Sequence, residues 1–491
     1  MKTTAIHVGL HESPAFSTVY ALPVWGIYPR TDSREILIFL KKPKKRGFSG
    51  RINFAGVVEC LQIVSRRAIC VHKERESRDW RCGTSEAMSV APQYSVYDSR
   101  PREIFRYSEK HGKITFDYSC LKPYGIPSLP CHISMKSGWQ QYKRKVFHSG
   151  EVRVKLLLIA VLGYEAVYGK RLLKREKSLD EEKEDKHSDH VEILCHNGLH
   201  SDLLLKSKDM YYVMLYKGKL LFSNTDTRSK QNPLMSYIGI KFESVLTRQK
   251  NPTDSSHCKV LLEGKYGKWP FKSVVEVDAY KRAARGMRIE QTDEQKRVDL
   301  YVEMKLCLIP DLNIDEVVTL KSKQEQLEYL RRSIKTFKFK VQKWLFQTYL
   351  GRQDHLVIGL RDDTYQLRYV FVFDVVTDLL PFMKESYTAI YNKFESSVDT
   401  LDVCYTTIYE QIKKLQKEET DVFILKTNNL SVVPAPENVD SNAVLTPEWL
   451  AVQRDGKNAT DALATVPEVD MAQLEKLKIA EIDQQLSRLQ V

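Results

Sequence analysis

Over most of this chain apolar and polar positions alternate in short runs, the period of two that predicts β-strands. The stretch YSVYDSRPREIFRYSEKHGKITFDYSCLKPYGIP, rich in aromatic and alternating positions, predicts strands and turns. MYYVMLYKGKLLFSN predicts two strands around a Lys217-Gly218-Lys219 turn. NPLMSYIGIKFESVLT changes period, and Pro233 suits the first turn of a helix that carries Glu243. SVVEVDAY and RVDLYVEMKLCL then predict two more strands, expected to be antiparallel neighbours joined by KRAARGMRIEQTDEQKR. VVTLKSKQEQLEYLRRSIKTFKFKVQKWLFQTYLG predicts a helix in its second half that stops at Gly351.

Downstream, DHLVIGLRDDTYQLRYVFVFDVV predicts a hairpin turning near Asp362-Asp363. One or two helices are expected in DLLPFMKESYTAIYNKFESSVDTLDVCYTTIYEQIKKLQK, and a last strand pair in DVFILKTNNLSVV. From about Pro434 the pattern is loop-like, and MAQLEKLKIAEIDQQLSRL then predicts an amphipathic helix. That helix either packs on its own domain or takes a coiled-coil partner, and the short, irregular heptad favours the former. KRLLKREKSLDEEKEDKHSDH loses its apolar stripe after Leu173, as expected of an exposed helix end running into a loop.

These elements mix strands and helices, and most of them fall within residues 91–435. A divergent region, 1–90, precedes them, and a tail with a C-terminal amphipathic helix, 436–491, follows. Composition changes little, since 42% hydrophobic and 28% charged residues are ordinary for a globular chain. The net charge of +13 points to a polyanionic partner, nucleic acid first. Nine cysteines without a CxxC pair suggest reduced thiols, and no run is long and apolar enough to suggest a membrane span. A soluble intracellular protein is the expectation. KKPKKRGFSGR, Lys41 to Arg51, is either a nuclear import signal or a solvated basic loop.

The chemistry lies in the carboxylates of the two central strands. On a strand, residues i and i+2 share a face about 7 Å apart, so Glu276 pairs with Asp278, and Glu303 with Lys305. Converging carboxylates repel unless a hard cation sits among them, and Mg²⁺ or Mn²⁺ with oxygen ligands fits that need. Such an ion generates a nucleophilic water for phosphodiester hydrolysis, with Lys305 holding that water or the phosphate. The plainer reading is a rim ion pair between Glu303 and Lys305, worth about 0–1 kcal/mol. Lys340, Lys343 and Gln347 follow an i, i+3, i+7 stripe on one helix, which suits a phosphate backbone or simply a solvated face. His187, His190, Cys195, His196 and His200 cluster in sequence, but their spacing fits no zinc site, and a solvated loop is expected.

In order, YIGIKFE, VEVDA, YVEMK and KWLFQTYLG resemble the motifs of the DXO family of RNA 5′-end decapping exoribonucleases. The resemblance is good over residues 205–435 and faint over 92–130. It implies an α+β fold, a single catalytic domain over 91–435 with a mixed β-sheet flanked by helices and a deep acidic pocket. It also implies Mg²⁺- or Mn²⁺-dependent hydrolysis at RNA 5′ ends bearing triphosphate, incomplete or NAD caps, in some members followed by 5′–3′ digestion. Carried over, Glu243, Asp278 and Glu303 would ligate metal with the Met304 carbonyl, and Glu276 would serve a second ion. Lys305 and Gln347 would orient water and scissile phosphate. The resemblance further implies the nucleus, with the cytoplasm as a second location, and in one branch a nuclear 5′–3′ exoribonuclease as partner. One departure is visible: the family's Arg in a W-R-G segment aligns here with Asn197, in VEILCHNGLHSDLLL. A guanidinium lost there weakens phosphate grip. A catalytically weak RNA-end-binding or scaffold protein is therefore the alternative, and a DNA nuclease of the broad D…E-x-K class a third.

Overall fold

The computed structural model describes residues 24–29, 36–40, 94–110, 113–117, 119–141, 150–179, 191–225, 232–249, 256–282 and 299–489. The chain divides into two units, Met1–Ser89 and Val90–Val491. In the first, β1 (Val24–Pro29) and β2 (Ile36–Leu40) pair antiparallel with Val24 opposite Leu40. The basic run at Lys41, and His187 and His190 further on, lie outside the described residues.

The second unit holds two mixed sheets. Its first strands are β3 (Arg102–Lys110), β4 (Lys113–Thr115), β5 (Ile133–Ser134), β6 (Glu192–His196), β7 (Met210–Tyr216) and β8 (Lys219–Asn224). Then come β9 (His257–Tyr266), β10 (Trp269–Val277), β11 (Ala279–Arg282) and β12 (Asp299–Leu308). The last are β13 (His355–Arg361), β14 (Gln366–Asp374), β15 (Phe423–Lys426) and β16 (Ser431–Pro434). Nine of them form one sheet in the order β16-β15-β7-β8-β6-β10-β9-β3-β4, and five form another, β11-β12-β13-β14-β5. The fold is thus α+β as expected, and among the described residues this unit holds two mixed sheets.

Strands β6, β8 and β10 at the centre of the nine-stranded sheet are buried on both faces, which is why they are nearly continuous apolar runs. Ile193 and Cys195 of β6 face one core, while Leu194 faces the other. The second core is closed by α1 (Gly150–Leu179), whose Leu156 to Leu162 are buried. Here the interrupted stretch LLLIAVLG finds its place. It is a core helix, and no helix among the described residues is long and apolar enough to cross a membrane. Against the first core lie α2 (Gly198–Leu205), which follows β6 directly, and a later helix over Phe337–Leu350. The smaller sheet packs α3 (Pro233–Leu246) on its Val302 and Met304 face.

Local chemistry sets these elements as expected. Lys217 and Gly218 both have positive φ, 46° and 69°, the requirement of a two-residue turn between β7 and β8. Pro233 opens α3, and the Asn232 carboxamide accepts from the Leu234 amide at 3.0 Å. β13 and β14 form the expected hairpin.

The helical content exceeds the expectation. The segment before Gly351 carries α4 (Ile314–Thr319), α5 (Lys323–Ser333) and α6 (Phe337–Leu350), so its first half is helical too. A capping box at Ser322 and Glu325 starts α5, a signal present in the sequence. Three helices, α7 (Leu380–Ser386), α8 (Thr388–Glu395) and α9 (Ser397–Leu415), replace the expected one or two. Beyond Pro434 come α10 (Pro447–Gln453), α11 (Ala459–Leu463) and α12 (Met471–Leu489). Trp449, Leu463 and Leu474 from these helices are buried in the α1 core, so the terminal helices pack on this unit.

Candidate active site

The parallel strands β6 and β10 end side by side, and the Asn197 amide donates to the Val274 carbonyl at 3.0 Å. Ligands of such sheets commonly sit beyond the carboxyl ends of the strands. A cavity of about 370 Å³ opens there, lined by residues that include Glu243, Glu276, Glu303 and Gln347. Arg153 of α1, His196 and Asn197 at the end of β6, and His257 and Lys259 of β9 also line it. The cavity carries three carboxylates and, besides them, two cations.

The E-V-D motif is built differently from the expectation. Strands β10 and β12 are not neighbours. Val277 pairs with Cys258 in the nine-stranded sheet, whereas Ala279 pairs with Val302 in the five-stranded sheet. Asp278 is the residue at which the chain changes sheets, so it and Glu276 do not share a strand face. The β11–β12 ladder stops at Ala279, and the Met304 amide beyond it donates instead to Asp278 Oδ2 at 2.8 Å. A residue released from both ladders is thus tied by its own carboxylate to the strand that carries Glu303.

Three carboxylates and one ammonium from separate elements then lie within electrostatic range of one another. Burial pushes the Asp278 pKa well above the usual carboxylate range, and the charges of Glu303 and Glu243 push it further. Burial works to strip the Lys305 proton, but Glu303, Asp278 and Glu243 outweigh it and hold the ammonium above its ordinary value. Lys305 forms an ion pair with Glu303. Glu276, about half exposed at 52%, leans the other way onto His257 Nδ1 at 2.5 Å. Met304 itself is buried against α3.

This donor set is all oxygen and mutually repulsive, which suits a hard divalent cation. As it stands, with Glu303 on Lys305 and Glu276 on His257, no group of three or more His, Cys, Asp or Glu among the described residues is gathered to hold a metal. The chemistry of the set fits such an ion, and Lys305 engages one of the two Glu303 oxygens.

Asp278 supplies a pH signature in ion-free protein. A carboxyl that holds its proton more tightly when folded favours the native state below its unfolded pKa, and that advantage fades as pH rises toward the folded value. Asp278→Asn is therefore expected to stabilise the chain at pH 8 relative to wild type, with the difference vanishing near pH 4. Urea unfolding in a chelating buffer at both pH values checks this, and a difference that grows toward low pH contradicts it.

Gln347 sits on α6, and its backbone carbonyl accepts from Asn197 Nδ2 at 3.4 Å. The helix stops at Gly351 as expected, and what glycine supplies there is space. Its φ is −82°, open to any residue, while a Cβ there would lie 2.6 Å from the Gln347 oxygen and 2.9 Å from Asn197 Nδ2. Gly351→Ala is expected to cost about 1–3 kcal/mol and to displace that wall of the cavity. Thermal unfolding measures the loss, and an unchanged midpoint would show that the wall yields freely.

Several expectations are corrected here. Lys340 and Lys343 are not among the residues lining the cavity, although Gln347 of the same stripe is. Lys343 faces solvent, and Lys340 is half-buried, its charge acting on the Cys307 thiol. The expected solvated loop at Cys195–His200 is instead the end of β6 and the start of α2. The Cys195 thiol is raised by burial, and the buried His200, held by the Tyr405 hydroxyl at 2.7 Å, is pushed down to about 3.

The sequence pattern did not reveal Arg153, His196, His257, Lys259 and Gln353 as lining residues. For Lys259 a signal existed. A two-residue turn at Gly267-Lys268 makes β9 and β10 a hairpin, and counting back from it sets Lys259 opposite Glu276.

A family profile described as RAI1 like PD-(D/E)XK nuclease matches residues 99–450. No curated protein sequence matches the chain. Among solved structures, Candida albicans Rai1 in complex with pU5-Mn²⁺ is similar, with 16% identity, TM-score 0.49, and 74% of this chain and 98% of that chain covered. Scheffersomyces stipitis Rai1 with (3′-NADP)⁺ and calcium gives 16% identity, TM-score 0.45, and coverage of 80% and 99%. K. lactis Dxo1 in complex with manganese gives 14% identity, TM-score 0.38, and coverage of 71% and 96%.

Proposed function

The chain belongs to the RAI1-like PD-(D/E)XK nuclease family, and from that membership we propose that it is a divalent-ion-dependent hydrolase of RNA 5′ ends. Its substrates on this reading carry a triphosphate, an incomplete cap or an NAD cap, and digestion continues into the RNA body. The observation that carries the reading is that Glu243 and Glu303 line the cavity while Asp278 and Lys305 lie within electrostatic range of both.

On this proposal Glu243, Asp278 and Glu303 hold Mg²⁺ or Mn²⁺, the Met304 carbonyl assists, and Glu276 serves a second ion. Such an ion, when bound, polarises phosphoryl oxygens and lowers the pKa of water. Lys305, kept protonated by its neighbours, places a point charge on the scissile phosphate or the attacking water. Gln347 offers an amide at the wall of the same cavity. Water adds to phosphorus as the bond to the leaving oxygen breaks, and that oxygen takes the proton. The basic chain supports a polyanionic substrate.

Release of a 5′ label from triphosphorylated and NAD-capped RNA, with matched single-stranded DNA beside it, tests the proposal. Ion-dependent release from RNA in preference to DNA is expected. Tight RNA binding without turnover under any divalent ion would leave the alternative, an RNA-end-binding or scaffold protein for an exoribonuclease. That alternative is favoured by one observation, the engagement of Glu303 by Lys305.

A further inference from the structure

Helix α6 carries an aromatic side chain where its pattern calls for a polar one. Val341, Leu345 and Tyr349 bury one face of the helix, yet Phe339 is 71% exposed, more than any other large apolar side chain among the described residues. Its neighbours are basic: Lys335, Lys338 and Lys343 are all exposed. Phe339, Lys343 and Gln347 form a row at every fourth residue of α6, and Lys335 stands in the turn just before the helix. Gln347, at one end of that row, lines the cavity. At 1.5 Å per residue, Phe339 lies about 12 Å from it along the axis, a reach of a few nucleotides.

We propose that this row is a track for the single-stranded body of an RNA whose 5′ end occupies the cavity, with a base stacked on Phe339 and phosphates against Lys335 and Lys343. The proposal rests on the function proposed above and adds the course of the strand beyond the site. A π-face flanked by cations is the chemistry of sequence-tolerant single-strand binding. The charge complements a polyanion, and the row is continuous with the cavity. A duplex does not suit it, because paired bases offer no free face to the ring.

The test is equilibrium binding of 5′-phosphorylated oligouridylates of twenty and of two nucleotides to the full chain in chelating buffer, where nothing is cleaved. Phe339→Ala is expected to weaken the twenty-mer about tenfold, lowering the long-to-short affinity ratio by the same factor, while Phe339→Trp restores it. Lys335→Gln with Lys343→Gln is expected to flatten the dependence of log affinity on log salt by about 1.4, near 0.7 for each phosphate no longer neutralised. An unchanged ratio with tight wild-type binding would overturn the track alone and leave Phe339 to a protein partner. Equal weakening of both lengths would also overturn it, since the residue would then act through the fold. Wild-type protein that binds neither oligonucleotide would remove the proposed function together with the track.

Discussion

Glu303→Gln is expected to reduce ion-dependent hydrolysis of RNA 5′ ends by about a thousandfold, or ~4 kcal/mol of transition-state stabilisation. Gln keeps the shape of the side chain and removes its charge, so packing along β12 is retained. Glu303 is the principal neighbouring charge that raises the Asp278 pKa, and it also pairs with Lys305. Removing that charge lets Asp278 ionise more easily, while Lys305 keeps Asp278 and Glu243 as counter-charges. The variant should therefore fold, and RNA affinity in chelating buffer should hold or rise, because one negative charge has left the path of a polyanion. Single-turnover kinetics beside a binding isotherm separates the two effects. Wild-type turnover in this variant would remove Glu303 from the site.

Lys305→Met should act on the fold as well as on activity. The ammonium is the internal counter-ion of three carboxylates, and taking one partner from a buried charged group costs about 3–5 kcal/mol. The Lys305 side chain is 27% exposed. Solvent screening reduces the expected loss to about 2–3 kcal/mol, a drop of several degrees in melting temperature. Methionine fills the same volume, so the loss is electrostatic. Divalent ions should then raise the melting temperature of the variant more than that of wild type, since they supply the missing positive charge. Turnover should not return, because the point charge on the phosphate is gone. Scanning calorimetry with and without Mn²⁺ distinguishes this from a packing defect, which no ion would repair.

The sequence pattern located most of the elements and missed how two of them meet. Period and turn chemistry placed β7, β8, α3, the β13–β14 hairpin and the stop at Gly351, because each is set within a few residues by local groups such as Asn232, Pro233 or Gly218. The split at Asp278 was not legible. VVEVDAY reads as one strand, and only the competition between Cys258 and Val302 for its two halves, a tertiary effect, divides it between sheets. The same break explains why Glu276 faces His257 while Asp278 reaches the Met304 amide. The carboxylates were legible as a set because charge in apolar strands demands a partner. Arg153 was not, since nothing in its surroundings on α1 marks it as reaching a cavity built from β6 and β10. The buried Cys195 and His200 misled in the opposite way. Their residue types suggested a ligand cluster or a loop, and they are core groups beside Tyr405.

On the proposed function Glu243, Asp278 and Glu303, drawn from separate elements, share one divalent cation. Titrating Mn²⁺ into the full chain by isothermal calorimetry, with Asp278→Asn and Glu303→Gln in parallel, tests it most directly. Saturable uptake by wild type that disappears in both variants is the predicted result. No saturable uptake, or uptake that survives both substitutions, would contradict it.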